Sequence, residues 1–535
     1  SSRQWLPWAA AGWVVVVSSM LAWLVLERIP HIGDEWTYLF QAKHLALGQF
    51  WLPPPPDAEA FMVPLTYQDP TRWLNANMIG WPVVLSVGVR LGIPWMINPL
   101  LAGTAILLAH ALVRRIYERT VADAVVLLMA ASPWLLWISA SLMSHALSLV
   151  LVLLVMLGVS RARQRGAVSW GAVAGSSCGA LLHTRPLEAV VVALVAGVWW
   201  LAAGQRRLRV PAVAAAIVCG GAMVALFLAY NQSVTGNAFQ TPLNAFYDAE
   251  FHKGSNRLGF GADIGNWGWI GLDALPGHGP IDVLMNTNQN LHMVQFDLFG
   301  WAFGSITLVY FLGVWRRRRL DAFMWVWLGG AIAGLNLYWF SGGPDFGARY
   351  WYMAIIPFTV LAVRGAQELS AHFVQIGRTA AASRVWAFVV LATAIGTTNL
   401  LVWRSLDKYL NYRGARPDIR RLATEHTFGR SLVLIRGRLW PNYGSAAPLN
   451  PIWLGNDGVV PIYARELTRE SVAKLRAYYA DRPVWIIAGP TATEPRFHVV
   501  AGPIAPGVPL PAAAQPEQSS ADDQPRGPDD PPHRR

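Results

Sequence analysis

Apolar stretches of about 20 residues recur from Trp5 to Trp403, and about 20 apolar residues are what one helical crossing of a bilayer requires. In hydrocarbon every backbone N–H and C=O must be satisfied within the protein, so long unbroken apolar runs select helices over irregular chain. Composition agrees: of 535 residues 54% are hydrophobic and only 14% charged, too little polar surface to cover a soluble globule of that size. The chain is therefore expected to be an all-α polytopic membrane protein. The spans fall at about 5–26, 96–113, 121–138, 145–160, 168–182, 187–203, 210–230, 297–315, 321–340, 350–369 and 385–403, about eleven in number. The run from Trp5 to Leu26 is longer than a signal-peptide core and lacks a small-residue cleavage site before Glu27, so it is read as the first span.

The pI near 9.9 comes mostly from short arginine clusters between these runs. They comprise Arg114, Arg115 and Arg119; Arg161, Arg163 and Arg165; Arg206, Arg207 and Arg209; Arg316 to Arg319; and Arg378 with Arg384. All fall in one alternating set of loops, while the short loops of the other set hold only Arg185 and Arg349. Such clusters retain loops in the cytoplasm and do not form a nucleic-acid surface. The expected sidedness is an N-terminus in the cytoplasm of a cell (inner or plasma) membrane, with the C-terminal domain outside. Arg404, Lys408, Arg413 and Arg416 run against this bias, although long translocated domains follow it poorly. A twelfth span at 78–93 would invert the arginine-rich loops, so that stretch is read as a helix in the outer leaflet. Cys178 and Cys219 both lie in apolar runs, which excludes a disulfide framework.

Three regions are expected. Residues 1–403 form the transmembrane domain, with outer loops at 28–95 and 231–295; residues 404–502 form a small extracytoplasmic α/β domain; residues 503–535 form a disordered tail. The first outer loop carries a helix-like segment from Trp36 to Leu47 and breaks at Pro53 to Pro56. The second is rich in Gly, Asn and aromatics without a long apolar run, and reads as a substrate-covering lid, not a folded domain. In the α/β domain, strands at Ser431–Arg436, Val459–Tyr463 and Val484–Ala488 flank a helix from Ser471 to Ala480 capped by Thr468.

Under this topology Asp34, Glu35, His145, Arg185, His278, Arg349 and Tyr350 all fall at outer span ends or in outer loops. Each has two readings. Asp34 and Glu35 are either solvated loop carboxylates or an acid–base pair. Arg185, before Pro186, either snorkels to lipid headgroups or holds an anion. Arg349 and Tyr350 belong either to an interfacial aromatic belt or to a binding site. His145 is a hydrogen-bonded structural residue or a ligand. His278, in a Gly-Pro-rich loop, is solvated or touches a substrate.

The segment Ile32-Gly-Asp-Glu-Trp-Thr-Tyr38 after a first span resembles the acidic signature in the first outer loop of the GT-C superfamily of glycosyltransferases, which includes protein O-mannosyltransferases and lipid A aminoarabinose transferases. Ser132-Pro-Trp134 with Ser144-His145, Thr184-Arg-Pro186, Leu258-Gly-Phe-Gly261 with His278, and Gly347-Ala-Arg-Tyr350 before Pro357 are similar to motifs of a bacterial branch of that superfamily. The resemblance spans about residues 5–490. It implies a GT-C-like membrane enzyme that moves a sugar from a polyprenyl phosphate, with inversion, to a lipid, glycan or protein acceptor on the extracytoplasmic face. It further implies Asp34 as the base with Glu35 beside it, and His145, Arg185, His278, Arg349 and Tyr350 as substrate-binding residues. Where many relatives carry a second acid in the second outer loop this chain has His145, so participation of a divalent metal stays open. The readings from other classes are a transporter or flippase of a lipid-linked glycan and a non-catalytic scaffold of the cell envelope. Transporters put charges at mid-membrane and often have repeated halves; here the charges sit at span ends.

Overall fold

The computed structural model describes residues 4–62, 64–165, 167–202, 210–265, 277–315, 319–343, 345–437, 442–490 and 494–511. Arg206, Arg207, Arg209, Arg316 to Arg318 and the expected tail beyond 511 lie outside the described residues. The membrane part is helical: α1 (Leu6–Leu24), α2 (Gly33–Ala46), α3 (Gly80–Arg90), α4 (Ile97–Ile116), α5 (Arg119–Ala130), α6 (Pro133–Ala140), α7 (His145–Arg165), α8 (Val168–Leu182), α9 (Pro186–Leu201) and α10 (Val210–Thr235). They are followed by α11 (Pro242–Glu250), α12 (Pro280–Asp297), α13 (Thr307–Trp315), α14 (Ala322–Leu335), α15 (Ile355–Gln375) and α16 (Thr379–Leu406).

Five helices among the described residues are long and apolar enough to cross a membrane, six if the bent pair α5–α6 counts as one span, and the chain is a multi-pass membrane protein. The count of eleven expected spans is not reached by this measure because several helices are short. The break in α5–α6 has a local cause: Ser132 accepts a hydrogen bond from Leu135 N (3.3 Å) and Pro133 occupies the first helical position, so a new helix starts at a 55° angle. The stretch 297–315 is not one helix. It ends α12 at Asp297, turns through Gly300 (φ 68°) and Gly304 (φ 94°), and resumes only at Thr307. α3, at 11 residues, is roughly 16 Å long against a hydrocarbon core of about 30 Å, too short to cross it.

α7 is the central helix, with 89% of its apolar window buried, whereas α10 has only 6% buried and lies on the outside. α8 joins them. Its Gly171, Gly175 and Gly179 face α10 so closely that a methyl group at these positions would collide with the carbonyls of Ala212 and Ala216 and with Met223. The helix ends define two faces of the bundle. At one, Asn98 donates to the Ser141 and Met143 carbonyls (2.7 Å each), tying α4 to the α6–α7 turn. At the other, Arg115 donates to Ser160 (3.1 Å).

The second outer loop holds more helix than its composition suggests: within 231–295 run the end of α10, α11 and most of α12, while 266–276 lies outside the described residues. Thr241 caps α11 ahead of Pro242, and the Asp282 carboxylate caps the start of α12 at Gly279 N (2.6 Å). These helices pack on polar and aromatic partners: in α11 Tyr247 meets the Trp339 ring and Asn244 accepts from Asn256, and in α12 Asn286 and Asn290 donate to the Trp339 and Ser341 carbonyls, so no apolar run marks them.

The first outer loop adds a hairpin, β1 (Thr66–Gln68) with β2 (Trp73–Asn75). After α16 a helix, α17 (Asp418–His426), leads into a mixed four-stranded sheet. β3 (Leu432–Arg436) pairs parallel with β4 (Ile462–Arg465) and β5 (Val484–Ala488), and β5 pairs antiparallel with β6 (His498–Ile504). The strand expected at Val459–Tyr463 lies three residues later, because Asn450 brackets Tyr463 through both backbone groups. β6 carries order past Pro503, where the tail was expected to begin. The flanking helix is Arg469–Tyr478, with Thr468 accepting from Ser471 N (3.1 Å). The sheet domain is fastened to α2: Trp36 Nε1 donates to the Gly444 carbonyl (2.6 Å), and Lys43 Nζ to the carbonyls of Pro448 (2.8 Å) and Asn450 (2.9 Å).

Candidate active site

α2 starts where α1 has just ended, and its first turn carries both carboxylates. They have different surroundings. Glu35 is 1% exposed; its Oε2 accepts from the backbone of His31 (2.7 Å) and Ile32 (3.2 Å) and its Oε1 from Leu142 N (2.7 Å). It caps its own helix and fastens the loop to the α6–α7 turn. Burial pushes its pKa up to about 7 against the opposing effect of the three N–H donors. Glu35 thus faces backbone amides on all its bonds, which departs from the expectation that it orients Asp34 or an acceptor.

Asp34 keeps an accessible side chain, 20% exposed. Its Oδ1 accepts from Asn77 Nδ2 (3.1 Å) and its Oδ2 from Arg349 Nη1 (3.1 Å). Asn77 follows β2, and its own amide is held by Asn75 Oδ1 (2.8 Å), so the hairpin positions it. Arg349 comes from a turn rich in positive φ, Gly342 (96°), Gly343 (69°), Phe346 (54°) and Gly347 (79°), which reverses the chain so that Arg349 Nε reaches the Gly342 carbonyl (2.5 Å). At Gly347 a side chain would strike Asp297 and Trp134.

Arg185 precedes α9 and pairs with Glu188 one turn on. Its guanidinium carbon lies 4.8 Å from the centre of the Tyr350 ring, and that of Arg349 5.6 Å from the same ring. The charges of Asp34 and Arg185 both act on the phenol of Tyr38, whose pKa burial raises. His145, fully buried at the start of α7, packs edge-on to Tyr352 (6.2 Å between centres) with neither ring nitrogen hydrogen-bonded, and Arg185 and Arg349 both act on it electrostatically. Asp34, His145, Arg185, Arg349 and Tyr350 therefore meet at one end of the bundle. His278 does not join them: its Nε2 is 3.0 Å from the Asn336 carbonyl and its ring stacks on Phe260.

Sequence reasoning passed over three members of the cluster. Asn77 and Tyr38 carry no signal by type. Glu188 did carry one: a carboxylate three residues from an arginine in an apolar helix is costly in lipid and needs a reason. Among the described residues no group of three or more His, Cys, Asp or Glu is placed to hold a metal ion. Chemically, the cluster joins an accessible carboxylate to two guanidiniums that flank an aromatic ring, an arrangement suited to a phosphate beside a hydroxyl or amine.

No protein-family model and no curated protein sequence matches the chain. Its structure is similar to that of ArnT from Cupriavidus metallidurans bound to undecaprenyl phosphate, with a TM-score of 0.57 and 13% identity over 95% of this chain and 100% of that one. Weaker likenesses are to the apo oligosaccharyltransferase of Archaeoglobus fulgidus (TM-score 0.45, 12% identity, 86% of this chain and 65% of that one) and to arabinosyltransferase EmbB from Mycobacterium smegmatis (0.39, 14%, 67% and 30%). The likeness to ArnT is one of fold alone.

Proposed function

We propose that the protein is a glycosyltransferase that moves a sugar from a polyprenyl-phosphate donor to an acceptor hydroxyl or amine on the extracytoplasmic face of the membrane. The observation that carries this reading is the ion pair between Asp34 and Arg349, 315 residues apart in sequence, with Arg185 against the same Tyr350 ring. It joins a base to two phosphate-binding cations at the end of the bundle remote from the arginine clusters. The fold shared with ArnT supports the reading, since that enzyme was solved bound to undecaprenyl phosphate.

Phosphate is a competent leaving group, so the reaction needs mainly a base and cations. Asp34 takes the acceptor proton as the acceptor oxygen or nitrogen bonds to the anomeric carbon. The bond from that carbon to the phosphate oxygen breaks with its electron pair passing to the phosphate, where Arg185 and Arg349 stabilise the added charge. Attack opposite the leaving group inverts the anomeric centre. His145 stands behind the cluster, buried against Tyr352 with neither ring nitrogen hydrogen-bonded. Glu35 shapes the loop that presents Asp34, and the sheet domain borders the acceptor side through its contacts with α2.

The test is transfer of radiolabelled sugar from a panel of polyprenyl-phosphate sugars by purified protein in lipid, comparing the intact chain with Asp34→Asn. Turnover is expected to fall by about 100-fold or more in the variant, the usual contribution of a general base. Full activity in Asp34→Asn would place the base elsewhere. Failure of every donor with lipid, glycan and protein acceptors supplied would reject the transferase reading.

A further inference from the structure

The two arginines of the cluster are neutralised differently. Arg349 shares its charge with Asp34, a side chain that water reaches. Arg185 is paired with Glu188, which is 2% exposed and sits on the first turn of α9. Glu188 has a second partner: its Oε2 accepts from Ser148 Oγ of α7, the most buried of the five long apolar helices. The two oxygens of one carboxylate therefore reach two different groups, Oε1 to the Arg185 guanidinium and Oε2 to the hydroxyl of the adjacent helix. A carboxylate held this way cannot swing without breaking a bond, and it restricts the guanidinium it grips. Arg185 is the N-cap of α9 and lacks a side-chain cap of its own, so the side-chain pair to Glu188 and the ring of Tyr350 define where its guanidinium stands.

We infer that Glu188 is a positioning residue of the donor site: with Ser148 it fixes Arg185 so that the guanidinium edge not used by Glu188 is presented to the lipid phosphate. This inference rests on the proposed function for its ligand. Pairing through Nε leaves the terminal nitrogens of Arg185 for a phosphate, which they can grip as a fork. A donor arriving from lipid then meets a preset cation and does not have to order a flexible one. It also meets Arg349, whose Nη1 is bonded to Asp34 and whose Nε is bonded to the Gly342 carbonyl.

The experiment measures binding of undecaprenyl phosphate, a donor lipid without sugar, to the purified full chain in nanodiscs, for the intact protein, Glu188→Gln, Arg185→Gln and the double variant. Glu188→Gln is expected to weaken binding about 10-fold, as loss of an oriented charge-assisted bond does. Adding it to Arg185→Gln is expected to cost nothing further, because the two act through one guanidinium. In turnover Glu188→Gln should raise KM for the donor and leave KM for the acceptor unchanged. Losses that multiply in the double variant, or binding by Glu188→Gln equal to that of the intact chain, would overturn the inference. If Glu188→Gln does not fold, Ser148→Ala serves: it leaves both charges and removes the hydroxyl that holds the carboxylate, and is expected to weaken binding about 3-fold, while unchanged binding overturns the inference. An intact chain that binds no undecaprenyl phosphate rejects the donor class itself, and this inference with it.

Discussion

Asp34 and Glu35 are neighbours in sequence and opposites in environment, and that difference is testable by pH. Glu35 is buried with a pKa of about 7 against an ordinary 4.5. Between those values the folded chain binds a proton that the unfolded chain has released, so stability attributable to this group is present below pH 4.5 and is lost as pH rises to about 7. The loss is on the order of 3 kcal/mol. In detergent or lipid, the thermal midpoint of the intact protein should therefore fall more between pH 5 and pH 8 than that of Glu35→Gln. The variant should also be less stable at pH 5 by about 1–3 kcal/mol, because its amide turns a donor toward backbone N–H groups. Equal pH slopes would mean that Glu35 is not the group that titrates. Asp34 stood out in the sequence through the likeness of Ile32–Tyr38 to an acidic signature; by residue type alone it read equally as a solvated loop carboxylate. The task of Glu35 was not legible: its partners include Leu142, 107 residues away, and no local pattern announces a long-range amide acceptor. Asn77 was hidden for the same reason, since the hairpin that brings it to Asp34 has strands of only three residues each, too short to show a pattern.

At the scale of elements, the apolar runs located α4 and α7 to α10 to within about five residues and merged α5 and α6 into one span, because one physical cause, the need for lipid-compatible length, dominates there. It failed where helices are covered by protein instead of lipid. α11 and α12 need no apolar run because they pack on polar and aromatic partners, and the stretch 297–315 read as one span though two glycines turn it. The α8–α10 contact shows how little sequence can mark a close interface: three glycines four residues apart let two backbones touch. Gly175→Leu should force α10 away and destabilise the protein by about 1–3 kcal/mol, the usual effect of overpacking. Gly197→Leu, where a side chain would meet open space, should leave the unfolding midpoint within about 1 °C of the parent, as surface changes of under 0.5 kcal/mol do. Comparing the two variants by thermal unfolding in one detergent separates helix packing from a general cost of losing glycine. Similar losses in both would remove the interface as the cause.

For the whole molecule the open quantity is sidedness, and it decides which pool of substrate the site can meet. The cluster around Asp34 stands at the same end of the bundle as the α2 helix to which the sheet domain is fastened. Arg115, Arg119 and Arg378 belong to the helix ends at the opposite face. The sidedness we propose, from positive-inside bias, has the arginines in the cytoplasm and both the cluster and the sheet outside. One chemical probe reads this. The two native cysteines, Cys178 and Cys219, lie within α8 and α10, so a variant with both changed to alanine supplies a blank background. In that background Glu470→Cys, on the exposed start of the sheet-domain helix, should react with a membrane-impermeant maleimide on intact cells. Arg378→Cys, at the exposed start of α16, should react only after the membrane is opened. The reverse pattern would put Asp34 in the cytoplasm. A polyprenyl-phosphate sugar would then be consumed on the face where nucleotide sugars are already at hand, and the case for a lipid-linked donor would lose its topological reason. Labelling of both sites on intact cells would mean that the last described helix, α16, does not cross the membrane. Since α16 is 28 residues long and carries the Arg404 side of the buried pair with Asp297, that result would separate the sheet domain from the bundle face on which the cluster depends.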